Sequence, residues 1–300
     1  MTVNHKNYTF LIQYQKEDKW RESLNSLTKK AYHFDFEKWY QSGYWDESCI
    51  LYSLAEGDQV VSNVTVNVIC FTVLGVEKKF MQIGTVMTDP EYRKQGLSRA
   101  LMEKVMLDWQ DNCDMIYLFA NDAVLDFYPK FGFVPVNEYQ ASYKLKGVKQ
   151  GLAFRTMDMD DASDRDLLFH TAQKAVPLFK ISMKDNAGLV MFYAHYFDSF
   201  SVSDFLYYIA DLKAVVLAEY EDEKLILHDI LAPARVELKT VIHAMARENT
   251  REVTLKFTPE NTEDYEISLY KEENSTLFVQ AGCSRLFEDQ RLIFPLLSHT

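Results

Sequence analysis

Hydrophobic and polar positions along the first half of the chain follow two different periods. Segments in which apolar and polar residues alternate, or in which β-branched residues run together, predict strands. Segments whose apolar residues recur every three or four positions predict helices. These patterns place strands at 8–14, 49–54, 60–74, 80–88, 115–120 and 134–145, and helices at 16–33, 36–41, 98–109 and 123–131. The resulting order predicts an α/β (α+β) domain, in which helices flank a mixed sheet.

The pattern in the second half repeats this order in a weaker form. Strands are predicted at 152–157, 205–209, 213–220, 224–231 and 252–257, and helices at 162–176, 189–197 and 233–247. The strand–loop–helix–strand run over 224–257 matches the run over 80–120 in order and spacing. We therefore interpret the second half as a diverged repeat. A polar, glycine-bearing joint at 144–151 places the boundary between domains of residues 1–148 and 149–300.

Composition and charge narrow the class of protein. The chain has 300 residues, of which 48% are hydrophobic and 25% are charged, as in a soluble globular protein, and this length suits two domains or one large one. It contains no apolar run of about 18 residues, which argues against a membrane-spanning helix. Its four scattered cysteines predict reduced thiols in the cytoplasm rather than a disulfide framework or a metal site. The net charge of −12 argues against nucleic acid as a partner.

One segment of the first half, residues 83–102, has a pattern that indicates chemistry. A strand ends at a proline, and a short basic loop then opens directly into a predicted helix. Backbone N–H groups at the start of a helix are unpaired and bind phosphate oxygens. Gly96 would let the backbone approach a phosphate closely, while Arg93, Lys94 and Arg99 add positive charge. Taken alone, this pattern also fits an ordinary strand–helix turn with solvated basic residues.

Two motifs resemble those of GNAT-type N-acetyltransferases, which use acetyl-CoA. The run Arg93-Lys-Gln-Gly-Leu-Ser98 resembles the R/Q-x-x-G-x-G/A signature of that family, with serine at its last small position. Asn121 and the run Phe127-Tyr-Pro-Lys-Phe-Gly-Phe133 resemble the N…FYxxxGF segment that follows it. The resemblance covers about residues 8–145 and implies the mixed, mostly antiparallel GNAT sheet. The tandem layout is similar to the first two domains of enhanced-intracellular-survival-type acetyltransferases.

The resemblance also implies roles for individual residues. The pantetheine arm of acetyl-CoA would pair with the backbone of Val86, Met87 and Thr88 as an added strand. Tyr128 matches the position that protonates the leaving thiolate, although it would also suit a packed core position. Asn121 would bond to the pantetheine or position a water, and as a helix N-cap it would need no function. The pyrophosphate would be held by the loop residues Arg93, Lys94, Gln95, Gly96, Leu97, Ser98 and Arg99.

The residue types leave the general base and the acceptor contacts open. Asp46 and Glu47, in the loop after the second predicted helix, are candidate bases, as is a water held by backbone carbonyls. Four nearby aromatic residues could either stack on the acceptor or cap the core: Trp39, Tyr40, Tyr44 and Trp45. In the second half, the loop that corresponds to the phosphate loop has no glycine and only Arg235 as a cation. No second cofactor site is expected there.

The sequence therefore predicts a cytoplasmic N-acetyltransferase that uses acetyl-CoA and needs no metal. Its acceptor would be a small-molecule or peptide amine. A non-catalytic acyl-CoA-binding or protein-interaction module with the same fold is the alternative. The second half carries 25 acidic and 16 basic residues, which favours a cationic acceptor drawn in by the electrostatic field. A spread of that charge over the outer surface for solubility explains the excess equally well.

Overall fold

The structure is a computed structural model that describes residues 1–147, 151–197 and 201–299. The predicted domain boundary between residues 148 and 149 lies outside the described residues. The first half contains β1 (Thr2–Val3), β2 (Lys6–Asn7), β3 (Thr9–Ile12), α1 (Asp18–Tyr32), α2 (Glu37–Gln41), β4 (Cys49–Glu56), β5 (Gln59–Val73), β6 (Val76–Thr88), α3 (Leu97–Trp109), β7 (Met115–Ala120), β8 (Phe133–Pro135) and β9 (Glu138–Lys144).

The second half follows with a similar alternation of strands and helices. It contains β10 (Arg155–Thr156), α4 (Ala162–Lys174), β11 (Ile181–Lys184), α5 (Ala187–Met191), β12 (Leu206–Ile209), β13 (Ala214–Glu221), β14 (Lys224–Leu231), α6 (Leu238–Met245), β15 (Glu252–Leu255), β16 (Glu266–Tyr270), β17 (Thr276–Gln280) and α7 (Ser284–Gln290). None of the helices in the described residues is long and apolar enough to cross a membrane.

Apart from the separate β1–β2 hairpin, these elements form two mixed, mostly antiparallel sheets, which confirms the predicted fold class. The first has the order β3-β4-β5-β6-β7-β17-β8, with β11 also paired to β5. The second has the order β10-β12-β13-β14-β15-β9-β16. Each sheet contains one parallel pair, β6 with β7 and β14 with β15. The same strand–loop–helix–strand unit therefore lies at the centre of both sheets, as the interpretation of a repeat predicts.

The two sheets exchange strands. β9, which comes directly after β8 in the chain, lies between β15 and β16 in the second sheet. β17, from the second half, lies between β7 and β8 in the first sheet. The prediction that residues 134–145 close the first sheet is therefore correct only for β8. Because Leu277, Phe278 and Val279 are all buried, β17 suits a central position with both faces covered.

Three predicted elements differ in the structure. The helix predicted at 123–131 is wrong: two 3₁₀ turns, Asp122–Val124 and Tyr128–Phe131, take its place. Pro129 lacks the N–H that a continuous helix needs, and Gly132 ends the second turn at a φ of 83°. The predicted strand 152–157 is reduced to β10. The predicted helix 233–247 begins only at Leu238, after a loop that contains Pro233.

Candidate active site

A bulge near the end of β6 distorts the centre of the first sheet. The pairing of β5 with β6 shifts between Asn63, which lies opposite Met87, and Thr65, which lies opposite Gly84. β6 therefore has one extra residue, and Thr85 adopts a φ of 38°. This conformation costs a β-branched residue about 1–3 kcal/mol. The side chains of β5 stabilise it, because Asn63 Nδ2 donates to Thr85 O at 3.2 Å and the Thr65 and Thr85 hydroxyls share a hydrogen bond.

Beyond this bulge, β6 and β7 separate. Their parallel pairing extends only as far as Ile83 and Leu118, although β6 continues to Thr88. The edge of β6 that faces β7 is therefore not covered by a strand over its last five residues. In this segment the carbonyl oxygen of Val86 accepts a hydrogen bond from Tyr32 Oη of α1 at 3.0 Å. An extended ligand could pair with such an edge as an added strand.

The loop after β6 presents a row of free backbone donors. Within the described part of the chain, none of the N–H groups of residues 94–99 donates to a protein acceptor. Lys94 and Gly96 have φ angles of 61° and 81°, and Gly96 is the N-cap of α3. Successive N–H groups in turns of this kind and at a helix N-terminus form concave anion sites.

The charges of this loop are also unpaired. Arg93 and Lys94 form no ion pair with a carboxylate among the described residues, and Arg93 Nε donates to Thr88 O at 3.3 Å. Arg99 instead pairs with Glu103 at 2.8 Å along the surface of α3. The free positive charge of the loop therefore lies on its first two residues, next to the row of N–H groups.

The N-terminal hairpin β1–β2 supports the loop from outside, which sequence reasoning missed. Asn4 Nδ2 donates to Gln95 O at 2.7 Å, and Tyr8 Oη donates to Gln95 Oε1 at 3.0 Å. The hairpin strands have only two residues each, too few to show a periodic pattern. A Cβ atom at Gly96 would lie 3.5 Å from Asn4 Nδ2, which is an ordinary contact distance.

A cavity of about 750 Å³ extends from this loop to the second half. The structure brings together six of the predicted site residues in its wall: Val86, Arg93, Lys94, Ser98, Asn121 and Tyr128. Six others are not among the residues that line it: Met87, Thr88, Gln95, Gly96, Leu97 and Arg99. Met87 and Leu97 are buried in the core instead. Any contact of these six with a ligand would come from backbone groups or from outside the cavity.

Tyr128 begins the 3₁₀ turn Tyr128–Phe131 and lines the cavity. Its side chain is 6% exposed and packs against the rings of Phe127, Phe133 and Phe278. Its hydroxyl group forms no hydrogen bond with the described residues. Burial raises the pKa of Tyr128, so the phenol keeps its proton at neutral pH. A buried phenol with a free O–H beside a ligand cavity is equipped to donate a proton.

The comparison with known families identifies the domain that contains this site. Residues 11–136 match the family described as "Acetyltransferase (GNAT) domain". The chain carries a GNAT acetyltransferase domain. The bulged strand, the loop and Tyr128 all lie within the matched residues, so the resemblance read from the two motifs is confirmed.

Similar proteins agree with this family. The GCN5-related N-acetyltransferase 2, chloroplastic, of Arabidopsis thaliana is 46% identical over 52 residues, which are 17% of this chain and 20% of that protein. The match thus spans about a fifth of that relative. The solved structure of Eis1 from Mycobacterium abscessus has a TM-score of 0.57 at 13% identity and covers 91% of this chain and 73% of its own.

A second solved structure gives the same result. The GCN5-related N-acetyltransferase from Kribbella flavida has a TM-score of 0.54 at 14% identity, over 90% of this chain and 71% of its own. At such identities the likeness shows the fold. Because it spans both halves, it supports the tandem arrangement inferred from the sequence.

The inner end of the cavity in this GNAT domain is aromatic. Its rings come from both halves of the chain: Phe34, Phe36, Trp39, Phe192, Tyr193 and Phe197. Phe34 contacts Phe36 and Phe197 with ring centroids 5.1 and 4.7 Å apart, and Phe192 stacks on Phe197 at 5.1 Å. Of the four aromatic residues named from the sequence, only Trp39 lines the cavity. Its ring stacks on Trp45 at 5.2 Å.

The two acidic residues considered as bases lie outside the cavity. Asp46 Oδ1 accepts a hydrogen bond from the backbone N–H of Ser48 at 2.8 Å and so caps its own loop. The Glu47 side chain is 88% exposed. Neither belongs to the residues that line the cavity. Among the described residues, the carboxylate that does line it is Glu272, next to His299, and no local sequence pattern singles out either residue.

Proposed function

We propose that this chain is an acyltransferase that moves the acetyl group of acetyl-CoA directly to a primary amine. One observation carries the proposal: Val86 of the bulged edge, Lys94 and Ser98 of the row of free N–H groups, and Tyr128 all line one cavity. The edge would pair with the pantetheine arm through Val86, Met87 and Thr88. The amides of residues 94–99 would bind the pyrophosphate, and Arg93 and Lys94 would balance its charge.

The side chains and backbone suit this ligand. The loop N–H groups need acceptors that the described residues do not supply, and Arg93 and Lys94 need anions. Asn121 caps its own turn through the N–H of Ala123 at 3.2 Å, and its side chain also lines the cavity. We assign it a supporting contact to the pantetheine arm rather than a chemical step.

In the reaction, the neutral amine forms the C–N bond at the thioester carbonyl carbon, and the C–S bond breaks. Tyr128 donates its proton to the departing sulfur and regains one from the nitrogen as that nitrogen becomes an amide. The reference pKa values of a phenol and a thiol are about 10 and 8.5. Burial raises the pKa of Tyr128, so the phenol holds its proton until the thiolate forms, and the proton released by the nitrogen then restores the phenol. The proton that the ammonium loses before attack passes to water.

The cell compartment and the acceptor complete the proposal. The four cysteines are free thiols, which supports the reducing cytoplasm as the location. The excess of acidic residues in the second half supports an acceptor with positive charge.

Release of CoA thiol tests this function. Purified chain with acetyl-CoA and a panel of primary amines should release thiol with at least one amine, and mass spectrometry should find the matching N-acetyl product. Calorimetry should show acetyl-CoA binding. Binding with no thiol release from any amine would favour the alternative, a non-catalytic acyl-CoA-binding module. Absence of binding would contradict both.

A further inference from the structure

The cavity has a wall that the proposed reaction does not use. Glu272 and His299, both from the end of the second half, line it together. Glu272 lies in the turn between β16 and β17, where it pairs with Ser275 across the hairpin. The His299 ring stacks on Phe119 of β7 with centroids 3.9 Å apart, and the His299 carbonyl accepts from Tyr193 Oη at 2.5 Å. The exchange of β17 thus brings Glu272 to the GNAT domain, and the packing of the chain after α7 brings His299 there.

The proton position on His299 follows from its neighbours. Its Nε2 atom lies 3.3 Å from the carbonyl oxygen of Phe294. Because a carbonyl can only accept, Nε2 is the protonated nitrogen. Burial lowers the pKa of His299 to about 4, so the ring is neutral at pH 7. Nδ1 is therefore a lone-pair acceptor.

This acceptor faces a second one. His299 Nδ1 lies 3.9 Å from Glu272 Oε2, which is too far for a direct hydrogen bond. Within the described residues, neither atom receives a hydrogen bond, and Glu272 forms no ion pair with a lysine or arginine. The nearby Lys256 is engaged elsewhere, since its Nζ donates to Gln140 Oε1 at 2.7 Å and lies 3.6 Å from the centre of the Tyr270 ring. The Glu272 side chain is 36% exposed, so water reaches its carboxylate, yet a ligand donor placed between the two acceptors would bind both.

A primary ammonium group supplies that donor. It carries three N–H bonds, so it can donate to Nδ1 and to the carboxylate together, and its charge balances that of Glu272. In the described residues, Glu272 is the one carboxylate that lines the cavity. A second ammonium on the same acceptor would therefore have no carboxylate partner in this wall, and only the weaker attraction of aromatic rings would balance its charge.

The remaining space is suited to an apolar body. Tyr193, whose hydroxyl group holds the His299 carbonyl, contacts Phe192 and Phe197 with ring centroids 5.5 and 6.0 Å apart. These two rings lead to Phe34 at 6.2 and 4.7 Å. The aromatic wall therefore begins directly beside the two acceptors. Aromatic bodies bury large area against such rings and gain from edge-to-face contacts.

We propose that Glu272 and His299 form the subsite for the acceptor's ammonium group, and that the acceptor is a monoamine with an aromatic or bulky apolar body. This inference rests on the proposed function for the identity of the cavity as an amine site. It narrows the proposed class of cationic acceptors to molecules with a single positive charge.

A comparison of three amines tests the substrate class. With acetyl-CoA as donor, 2-phenylethylamine should exceed ethylamine in kcat/KM by about 100-fold, because the phenyl ring buries apolar area. Spermidine should be no better than ethylamine. If spermidine is the best of the three, or if the phenyl ring gives no advantage, the substrate class is wrong.

Two variants test the subsite, with a neighbouring residue as control. Glu272→Gln should raise the KM and the calorimetric Kd of 2-phenylethylamine by about 10-fold or more and leave the Kd of acetyl-CoA unchanged. His299→Phe keeps a ring against Phe119 but removes Nδ1, and should weaken the amine to a smaller extent. Glu273→Gln removes the adjacent exposed carboxylate and should change neither constant. Thermal unfolding checks that all three variants fold.

The outcomes separate this inference from the proposed function. Amine binding is measured by calorimetry with CoA present, so it does not depend on turnover. If 2-phenylethylamine binds and Glu272→Gln weakens it, but no thiol is released, the subsite stands and the transferase function fails. If thiol is released but Glu272→Gln behaves like Glu273→Gln, the function stands and the subsite is wrong.

Discussion

Gly96→Asp is the most direct test of the phosphate loop, because the structure separates its two costs. A side chain at a φ of 81° is strained by about 1–2 kcal/mol, which lowers stability but not affinity. No clash adds to this, since the new Cβ atom would lie 3.5 Å from Asn4 Nδ2. The carboxylate would stand about 5 Å from a bound phosphate charge, a repulsion of about 3 kcal/mol at an effective dielectric of 20. Screening in physiological salt reduces this to about 2 kcal/mol, or about 30-fold in affinity.

The assay is calorimetric titration with acetyl-CoA, and Gly75→Asp is the matched control. Gly75 has the same φ of 81° in the turn between β5 and β6, at the opposite end of β6 from the loop. Both variants should lose similar stability in urea, whereas only Gly96→Asp should lose affinity. Equal affinity in the two folded variants would refute the assignment of the pyrophosphate to residues 94–99.

Three further predictions concern the proton donor Tyr128, the electrostatic field of the acidic second half and the buried carboxyl group of Glu138. Tyr128→Phe should lower kcat by about 100-fold and leave the Kd of acetyl-CoA within about twofold, and an unchanged kcat would mean that another donor protonates the sulfur. If the acidic second half steers a cationic acceptor, kcat/KM should fall steeply between about 10 mM and 150 mM salt, as the Debye length shortens from about 30 Å to about 8 Å; a flat profile contradicts steering. Glu138 is buried, accepts from the Phe294 N–H at 2.9 Å, and has its pKa raised by burial to about 8. The folded state therefore keeps a proton that the unfolded state releases above about pH 4.5, so stability should fall as the pH rises from about 4.5 to 8, and Glu138→Gln should flatten that slope in urea unfolding. An unchanged slope would show that Glu138 is ionised in the folded protein.

The parts of the fold that were predictable are those set by local sequence. The unit of β6, loop and α3 has a strong strand pattern, a proline stop and a clear helical period, and it lies where the sequence predicts. The prediction of a helix at 123–131 is wrong. The apolar spacing there fits a helix, but Pro129 lacks the backbone N–H that a continuous helix needs. Strand exchange leaves no such trace, because the alternation in β9 is the same in either sheet.

The residues of the candidate site also divide into those that local sequence predicts and those that only the fold brings together. Tyr128 and the loop were found because each belongs to a contiguous motif whose parts are in contact. Glu272 and His299 were missed because they reach the cavity through the exchange of β17 and through the packing of the chain after α7. Asp46 and Glu47 were considered because they follow a cluster of aromatic residues in sequence. In the structure only Trp39 of that aromatic cluster lines the cavity, and neither Asp46 nor Glu47 lines it.

The strand exchange has a consequence for how the protein is made. A ribosome that has released the first 150 residues has produced β7 and β8 but not β17, which separates them in the finished sheet. The nascent sheet must wait, with the sides of β7 and β8 unpaired, for a strand that emerges more than a hundred residues later. Pairings across such long stretches form slowly and leave exposed edges open to aggregation. Most of the described chain must therefore be synthesised before the first sheet, and the cavity beside it, is complete.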